Sequence, residues 1–420
     1  MASSKVPRMS RPTDLIQHSY RPPDEFEAPQ PGVFKASTIF FPNTAAMAQR
    51  QWIDKTGYTY GLHGTPTTFT LEERLATLEG GRHCLLVPSG LAAIAHVGLA
   101  LLRQGDEVLI PDNAYGPSLS FARGELARFG ITHQTYDPMD PDDLAQRMGE
   151  RTRWVWLEAA GSVTLEFPPL PALVQLCHAR GVRCALDNTW GAGLAFNPFD
   201  LTPGQGECAV DLTIHALTKY PSGGGDVLMG SIITRDDELA QQLKLSHMRL
   251  GTGVGANDVE LVLRSLPSMV LRYDAQDQRA RELAQWCASL PGVFEGVLHP
   301  ALPNSSGHDH WRALCVRSDQ PHGRAAGLLS VYWGPQVSGA QVAAFCDALK
   351  LFRLGYSWGG PMSLVVPYAL EGLRQKGFFA NHKGHLVRFC MGLEDVADLR
   401  QDIAQALVQS GLATKDVLHG

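Results

Sequence analysis

From about Leu71 onward the apolar residues fall into two alternating rhythms. Apolar positions three and four apart predict helices over 71–78, 91–102, 117–129 and 171–180. Between them, short runs rich in Val, Ile, Leu and Trp predict strands over 84–87, 107–110, 131–136, 154–158, 183–186, 212–216 and 227–234. Such alternation implies an α/β fold with a mostly parallel sheet and helices on both faces, because parallel neighbours need a crossover and each face must be covered. A longer helical stretch follows over 236–250 and 258–285, and past Pro303-Asn304-Ser305-Ser306-Gly307 the pattern suits a smaller α+β region ending in a helix over 394–407. About 30 leading residues, with Arg21-Pro22-Pro23-Asp24 and Pro29-Gln30-Pro31, predict an extended arm. The expected division is an arm over 1–64, a first domain over 65–266 and a C-terminal α+β domain over 267–420.

Composition narrows the class. A chain of 420 residues exceeds what one core usually serves, and 44% hydrophobic with 19% charged residues is the make-up of a soluble globular protein, expected in the cytoplasm. The net charge of -6 supplies no basic field, so neither nucleic acid nor an anionic membrane is an expected partner. No apolar run reaches the roughly 18 residues of a membrane span. Cysteines at 84, 177, 184, 208, 287, 315, 346 and 390 include no Cys-x-x-Cys pair and read as buried free thiols in a reducing compartment. His308-Asp309-His310 sits in a polar Pro/Ser/Gly stretch and no His-Glu-x-x-His occurs, so no metal is expected.

The chemistry concentrates where strands end. Lys219 follows the strand over 212–216 and precedes Ser222-Gly223-Gly224-Gly225-Asp226, while Asp187 closes the strand before it. Singly, such a lysine is ordinarily a solvated surface residue and Asp-Asn-Thr an ordinary turn. Together they suit pyridoxal 5'-phosphate (PLP): the amine forms an imine with the aldehyde, and the carboxylate keeps the pyridine nitrogen protonated so that the ring accepts electrons. Ligands of open α/β sheets gather at the carboxyl ends of strands, and Ser89, Glu158, Asp187 and Lys219 all fall there. Val87-Pro88-Ser89-Gly90-Leu91 reads as a strand, a tight turn and a helix start, whose free amides favour a phosphate; the Thr218 hydroxyl can join them. Gly251-Thr252-Gly253-Val254-Gly255 follows a helix rather than a strand and does not fit a dinucleotide loop, so it is expected to be a flexible segment near the site.

Several ordered motifs carry a resemblance: Tyr60-Gly61-Leu62-His63-Gly64-Thr65-Pro66-Thr67, Pro88-Ser89-Gly90-Leu91-Ala92-Ala93, Asn113-Ala114-Tyr115-Gly116-Pro117, Asp187-Asn188-Thr189-Trp190, Thr218-Lys219-Tyr220, Tyr356-Ser357-Trp358-Gly359-Gly360 and Arg388-Phe389-Cys390-Met391-Gly392. From about Ala36 to the C-terminal helix the chain resembles the Cys/Met-metabolism family of PLP-dependent trans-sulfuration enzymes, fold type I and aspartate-aminotransferase-like, and within it the cystathionine β-lyases most. The resemblance implies that Lys219 binds the cofactor and shuttles protons, that Asp187 pairs with the ring nitrogen and that Tyr115 stacks on the ring. Ser89, Gly90, Leu91 and Thr218 would hold the phosphate, joined by Tyr60 of a neighbouring subunit. Arg388 would clamp the carboxylate of an amino-acid substrate, helped by Ser357 and Trp358. The implied assembly is a homotetramer, a dimer of dimers.

The sequence also departs from the family pattern. Leu62 stands where relatives commonly carry an arginine that reaches the adjacent subunit's phosphate, and His63 is a candidate to replace that charge in part. Gly223-Gly224-Gly225-Asp226 replaces the usual Gly-His-Ser-Asp, and Met248 stands where a tyrosine is common in β-lyases. The Ser357-Trp358-Gly359-Gly360 text favours β-elimination from cystathionine or another cysteine S-conjugate, since γ-acting relatives usually read Ser-Leu-Gly-Gly. A γ-synthase or γ-lyase is the second reading, and a PLP-binding regulatory protein the third.

Overall fold

Neighbouring residues of one strand in the larger sheet enter different cores. The computed structural model describes residues 28–318 and 320–419. Its larger sheet holds β1 (His83–Val87), β2 (Glu107–Pro111), β3 (Thr132–Tyr136), β4 (Thr152–Glu158), β5 (Arg183–Asp187), β6 (Leu212–Ala216) and β7 (Gly230–Thr234) in the order β1-β7-β6-β5-β4-β2-β3. β7 runs antiparallel to β1 and β6, and the remaining pairs are parallel. Cys84, Leu86, Leu109, Val155, Leu157, Cys184 and Leu186 enter one core. Leu85, Val87, Val108, Ile110, Trp154, Trp156 and Ala185 enter the other. Side-chain alternation at period two thus requires helices on both faces, and near-continuous apolar strands are the result.

A second sheet, in the order β10-β11-β12-β9-β8, is formed by β8 (Gly296–Leu298), β9 (Leu328–Trp333), β10 (Arg353–Leu354), β11 (Leu364–Ala369) and β12 (His385–Cys390). Helices Gly339–Ala348 and Val396–Gln409 close its core. The helix Met269–Ser289 serves both cores: Met269 and Tyr273 belong to the first, Ala280, Leu283 and Cys287 to the second. From Val33 on, the chain forms one compact unit.

Several predicted boundaries move for identifiable reasons. The helix expected over 71–78 starts earlier, as Pro66–Glu79, because Thr65 and Thr68 cap each other reciprocally and Pro66 sits in the first turn. The stretch over 258–285 breaks into Ala256–Ser265, a tight turn Leu266–Ser268 and Met269–Ser289, since Pro267 lacks an amide and clashes with the preceding turn. The helix over 117–129 is Gly116–Phe121 followed by a wider turn Ala122–Leu126. Of the expected arm, residues 1–27 lie outside the described residues; the rest includes the short helix Thr44–Ala48 and the turn Gly61–His63, with Thr38 bridged to Tyr60. The eight cysteines are free and buried. No described helix is long and apolar enough to cross a membrane.

Candidate active site

Lys219 is fixed by its own strand end and by a loop from the second sheet. Its amide donates to the carbonyl of Ala216, the last residue of β6, and its Nζ donates to Ser357 Oγ at 2.6 Å. The loop lies close because residue 359 is glycine: at φ +80, a Cβ there would come within 3.0 Å of the Tyr220 amide and 3.1 Å of the Lys219 carbonyl carbon. Trp358 follows Ser357, with its ring 5.5 Å from Lys219 Nζ and edge-on to Tyr220. Arg388, nearly buried on β12, donates from Nη2 to the Ser357 carbonyl at 3.2 Å, while its buried Nε finds no acceptor among the described residues. Burial, and after it the Arg388 charge, pulls the Lys219 amine down to about 8.

Asp187 and Glu158 end adjacent strands in register. Asp187 Oδ1 accepts from the Thr189 amide at 3.0 Å. Burial raises the Asp187 carboxyl, opposed by the Thr189 hydroxyl and amide and by the charges of His215 and Lys219. Glu158 accepts from the Tyr115 amide at 2.7 Å, and burial, then Asp187, pushes it well above the carboxylate range. Tyr115 is half-exposed, and burial, then Asp187 and Glu158, raises its phenol. Beneath them, Glu79 receives Asn188 Nδ2, Thr213 Oγ1 and His215 Nδ1 at 3.1, 2.7 and 2.8 Å, entirely out of water.

The Ser89 turn lies flat on β6 and β7. Ser89 Oγ caps the helix Gly90–Leu101 by accepting from the Ala92 amide at 3.0 Å. The Gly90 and Leu91 amides, two of the first-turn donors that a helix leaves unpaired, find no acceptor among the described residues. A Cβ on Gly90 would stand 2.6 Å from Ala216 Cβ, and one on Gly230 would stand 2.3 Å from the Ser89 carbonyl oxygen. Thr218 Oγ1 meets the Met229 backbone at 3.4 and 3.5 Å on the same side. Lys219, Ser357, Trp358 and Arg388 therefore meet directly, Asp187 and Tyr115 are within electrostatic reach of them, and Ser89, Gly90, Leu91 and Thr218 share one corner. Tyr60 stands apart from them: it is half-exposed, bridges Thr38 and turns its ring edge to His63.

The departures gain physical reasons. His63 binds Thr59 Oγ1 through Nδ1, its ring lies 4.8 Å from Trp52, and burial followed by Lys244 and Arg50 lowers its pKa. The charge beside it is Lys244, whose Nζ donates to the His63 carbonyl at 2.7 Å. At Gly223 a Cβ would fall 2.1 Å from Arg272 Nη1, which donates to the Tyr220 carbonyl, and Gly225 has φ +75. Gly253 faces the Leu62 side chain, and the 251–255 segment borders a cavity of about 440 Å³ lined by Lys35, Gly61, Thr65 and Val254. Sequence reasoning missed Cys390, which accepts from the Gly359 amide at 3.4 Å and whose thiol burial pushes up to about 11. Its signal was its place two residues after Arg388, on the same face of one strand.

Comparisons with known proteins give the family and the fold. A family model described as Cys/Met metabolism PLP-dependent enzyme matches residues 12–408. Over 376 residues the chain is 35% identical to a cystathionine beta-lyase of Bordetella avium, covering 89% of this chain and 90% of that one. Over 349 residues it is 33% identical to the cystathionine beta-lyase MetC of Escherichia coli strain K12, covering 82% and 84%. The crystal structure of metB from Corynebacterium glutamicum matches with a TM-score of 0.79 at 25% identity, covering 94% of this chain and 97% of that one. The mostly parallel sheet with helices on both faces is accordingly the fold-type-I arrangement, and the chain belongs to the Cys/Met-metabolism family of PLP-dependent enzymes.

Proposed function

We propose that the chain is a carbon-sulfur β-lyase that cleaves L-cystathionine, or a related cysteine S-conjugate, into a thiol, pyruvate and ammonia. The observation that carries the reading is the junction of the Lys219 amine, held down to about 8, with Ser357 and the buried Arg388 guanidinium. The residues present fit PLP. Lys219 offers a desolvated amine for the aldehyde, and Asp187 a recessed carboxylate for the ring nitrogen. Tyr115 offers a half-exposed ring for stacking, and Ser89, Gly90, Leu91 and Thr218 a hydroxyl- and amide-rich corner for the phosphate. When bound, this cofactor supplies an electron sink that stabilises negative charge at the substrate Cα.

The chain's own groups then divide the remaining work. Arg388 presents guanidinium donors to the substrate carboxylate, with Ser357 and Trp358 walling the same side. Lys219 Nζ, oriented by Ser357 Oγ, would take the proton from Cα, after which the thiolate leaves from Cβ and picks up a proton, and water hydrolyses the released 2-aminoacrylate to pyruvate and ammonia. Tyr60 has no part in this cluster within one chain, and its half-exposure supports a role toward a neighbouring subunit of a homotetramer, a dimer of dimers. The free, buried thiols support a cytoplasmic enzyme.

The test is turnover of cystathionine, cystine and alkyl-cysteines with identification of the keto acid. Pyruvate from the parent protein and its loss in Lys219→Ala, together with the borohydride-trappable visible absorbance, supports the reading. Release of 2-oxobutyrate assigns γ-chemistry instead, and parental turnover by Lys219→Ala removes the assignment of that lysine.

A further inference from the structure

We propose that His178, Cys184 and Asp211 form a site for one borderline-soft divalent cation of the zinc class, near the starts of the central strands β5 and β6 and away from Lys219 at the other end of β6. Each offers one donor atom, and these atoms lie within 4.8 Å of one another, the one such grouping among the described residues. His178 Nε2 stands 3.3 Å from Asp211 Oδ2. The His178 ring also reaches the Cys184 thiol, which in turn reaches the Cys177 thiol one residue before the histidine. Sequence spacing hides this arrangement, since the donors come from the last turn of the helix Leu170–Ala179, from β5 and from the residue preceding β6.

The donor chemistry selects the ion. A thiolate, an imidazole and one carboxylate suit zinc or cadmium, whereas magnesium and calcium prefer oxygen donors alone. Metal-ligand bonds of about 2.0–2.3 Å place the ligands of a tetrahedral ion roughly 3.3–3.8 Å apart, so closure from 4.8 Å takes about 1 Å. The needed freedom is in the right place. The His178 side chain is half-exposed and can turn inward, whereas Cys184 is fully buried on a central strand. Asp211 is held from outside the coordination sphere: Oδ2 accepts from the Cys184 amide at 2.7 Å, and the Asp211 amide donates back to the Cys184 carbonyl. Solvent reaches the imidazole and carboxylate side, leaving the fourth position to water or to Cys177. Binding displaces the Cys184 thiol proton and the His178 imidazolium proton to solvent and ties the helix end to both strand starts.

Cys184 and Asp187 share β5 three residues apart, or roughly 10 Å at about 3.3 Å per residue, so the ion would not touch the Lys219 cluster. Its occupancy is independent of the lyase reading. The test uses the full, cofactor-loaded chain, stripped with a chelator and titrated with Cd²⁺ and then Zn²⁺. One Cd²⁺ per chain is expected, with a thiolate-to-metal charge-transfer band and a raised melting temperature. Cys184→Ser should abolish the band. His178→Ala, at a half-exposed position that does not endanger the fold, should weaken binding about 10–100-fold, as loss of a metal-site partner commonly does. Cystathionine turnover by His178→Ala should stay at the parental rate. Absence of a thiolate band in the parent overturns the site, as does a band that survives both substitutions, which would assign it to another thiol such as Cys390.

Discussion

Lys219 Nζ and Ser357 Oγ, 138 residues apart in sequence, stand 2.6 Å apart in the fold and join the end of β6 to the loop before β11. The hydroxyl fixes the direction of a long, flexible side chain whose amine must meet one proton. Ser357 itself holds φ 87, a left-handed backbone in which alanine is strained no more than serine. Ser357→Ala should therefore fold normally while lowering kcat about tenfold, a modest share of the ~10²–10⁴ that a positioned acid-base group contributes. Steady-state kinetics with kcat and KM separated checks this; an unchanged kcat would remove Ser357 from the orientation of the lysine.

The depressed Lys219 amine predicts a pH dependence with a definite sign. Cofactor uptake by the cofactor-free chain requires the neutral amine, so its rate should rise with pH and level off above about 8. Between about 8 and the ordinary 10.5, the unfolded chain binds more protons than the folded one. The cofactor-free protein should therefore gain stability as pH rises through that window. Arg388 is the second cause of the depression, after burial. Arg388→Met should move the uptake midpoint to higher pH and raise substrate KM at least about tenfold, because a hydrogen bond to a charged group contributes ~1.5–3 kcal/mol. Stopped-flow uptake and initial-rate measurements across pH read both effects.

Much of the candidate site was legible because its parts obey short-range rules. Asp187 and Lys219 end strands whose apolar runs are unmistakable, and Ser89-Gly90 announces a capped helix start. The second sheet was harder: β10 has two residues and β8 three, too short for any periodicity to declare itself. The break at Pro267 could have been read from the proline itself, whereas the shared helix Met269–Ser289 blurs a division placed at 267 in a way only packing reveals. Long-range partners were not legible at all. The Glu79 cluster draws on a helix end, a turn and β6, and the cation site on a helix end and two strand starts, with no common spacing.

Glu79 offers a stability test independent of any ligand. Its carboxylate and the His215 ring are both fully withdrawn from water, and Asn188 and Thr213 complete its hydrogen bonds. Removing Glu79 leaves the buried Asn188, Thr213 and His215 groups without their acceptor, at a cost of about 1–3 kcal/mol for each unsatisfied group. Glu79→Ala should lower the thermal midpoint markedly in the cofactor-free chain, while Arg82→Ala, which like its Asp237 partner is exposed, should cause a far smaller change. Equal shifts in the two variants would mean that the Glu79 cluster is not a structural anchor.

Gly90 couples packing to cofactor retention. Its missing side chain lets the helix start Gly90–Leu101 rest on β6, where a Cβ would stand 2.6 Å from Ala216 Cβ. Both atoms belong to the backbone frame, so no rotamer change relieves the clash and the turn must lift by about 1 Å. The Gly90 and Leu91 amides would lift with it, away from the corner they share with Thr218. Gly90→Ala should thus lose PLP on dialysis faster than the parent, at an overpacking cost of about 1–3 kcal/mol in stability. Gly149→Ala, whose Cβ would meet nothing within 4 Å, serves as the control and should retain the cofactor. Absorbance of the dialysed proteins, normalised to protein concentration, decides the matter: equal retention in both variants would mean that the phosphate is held elsewhere.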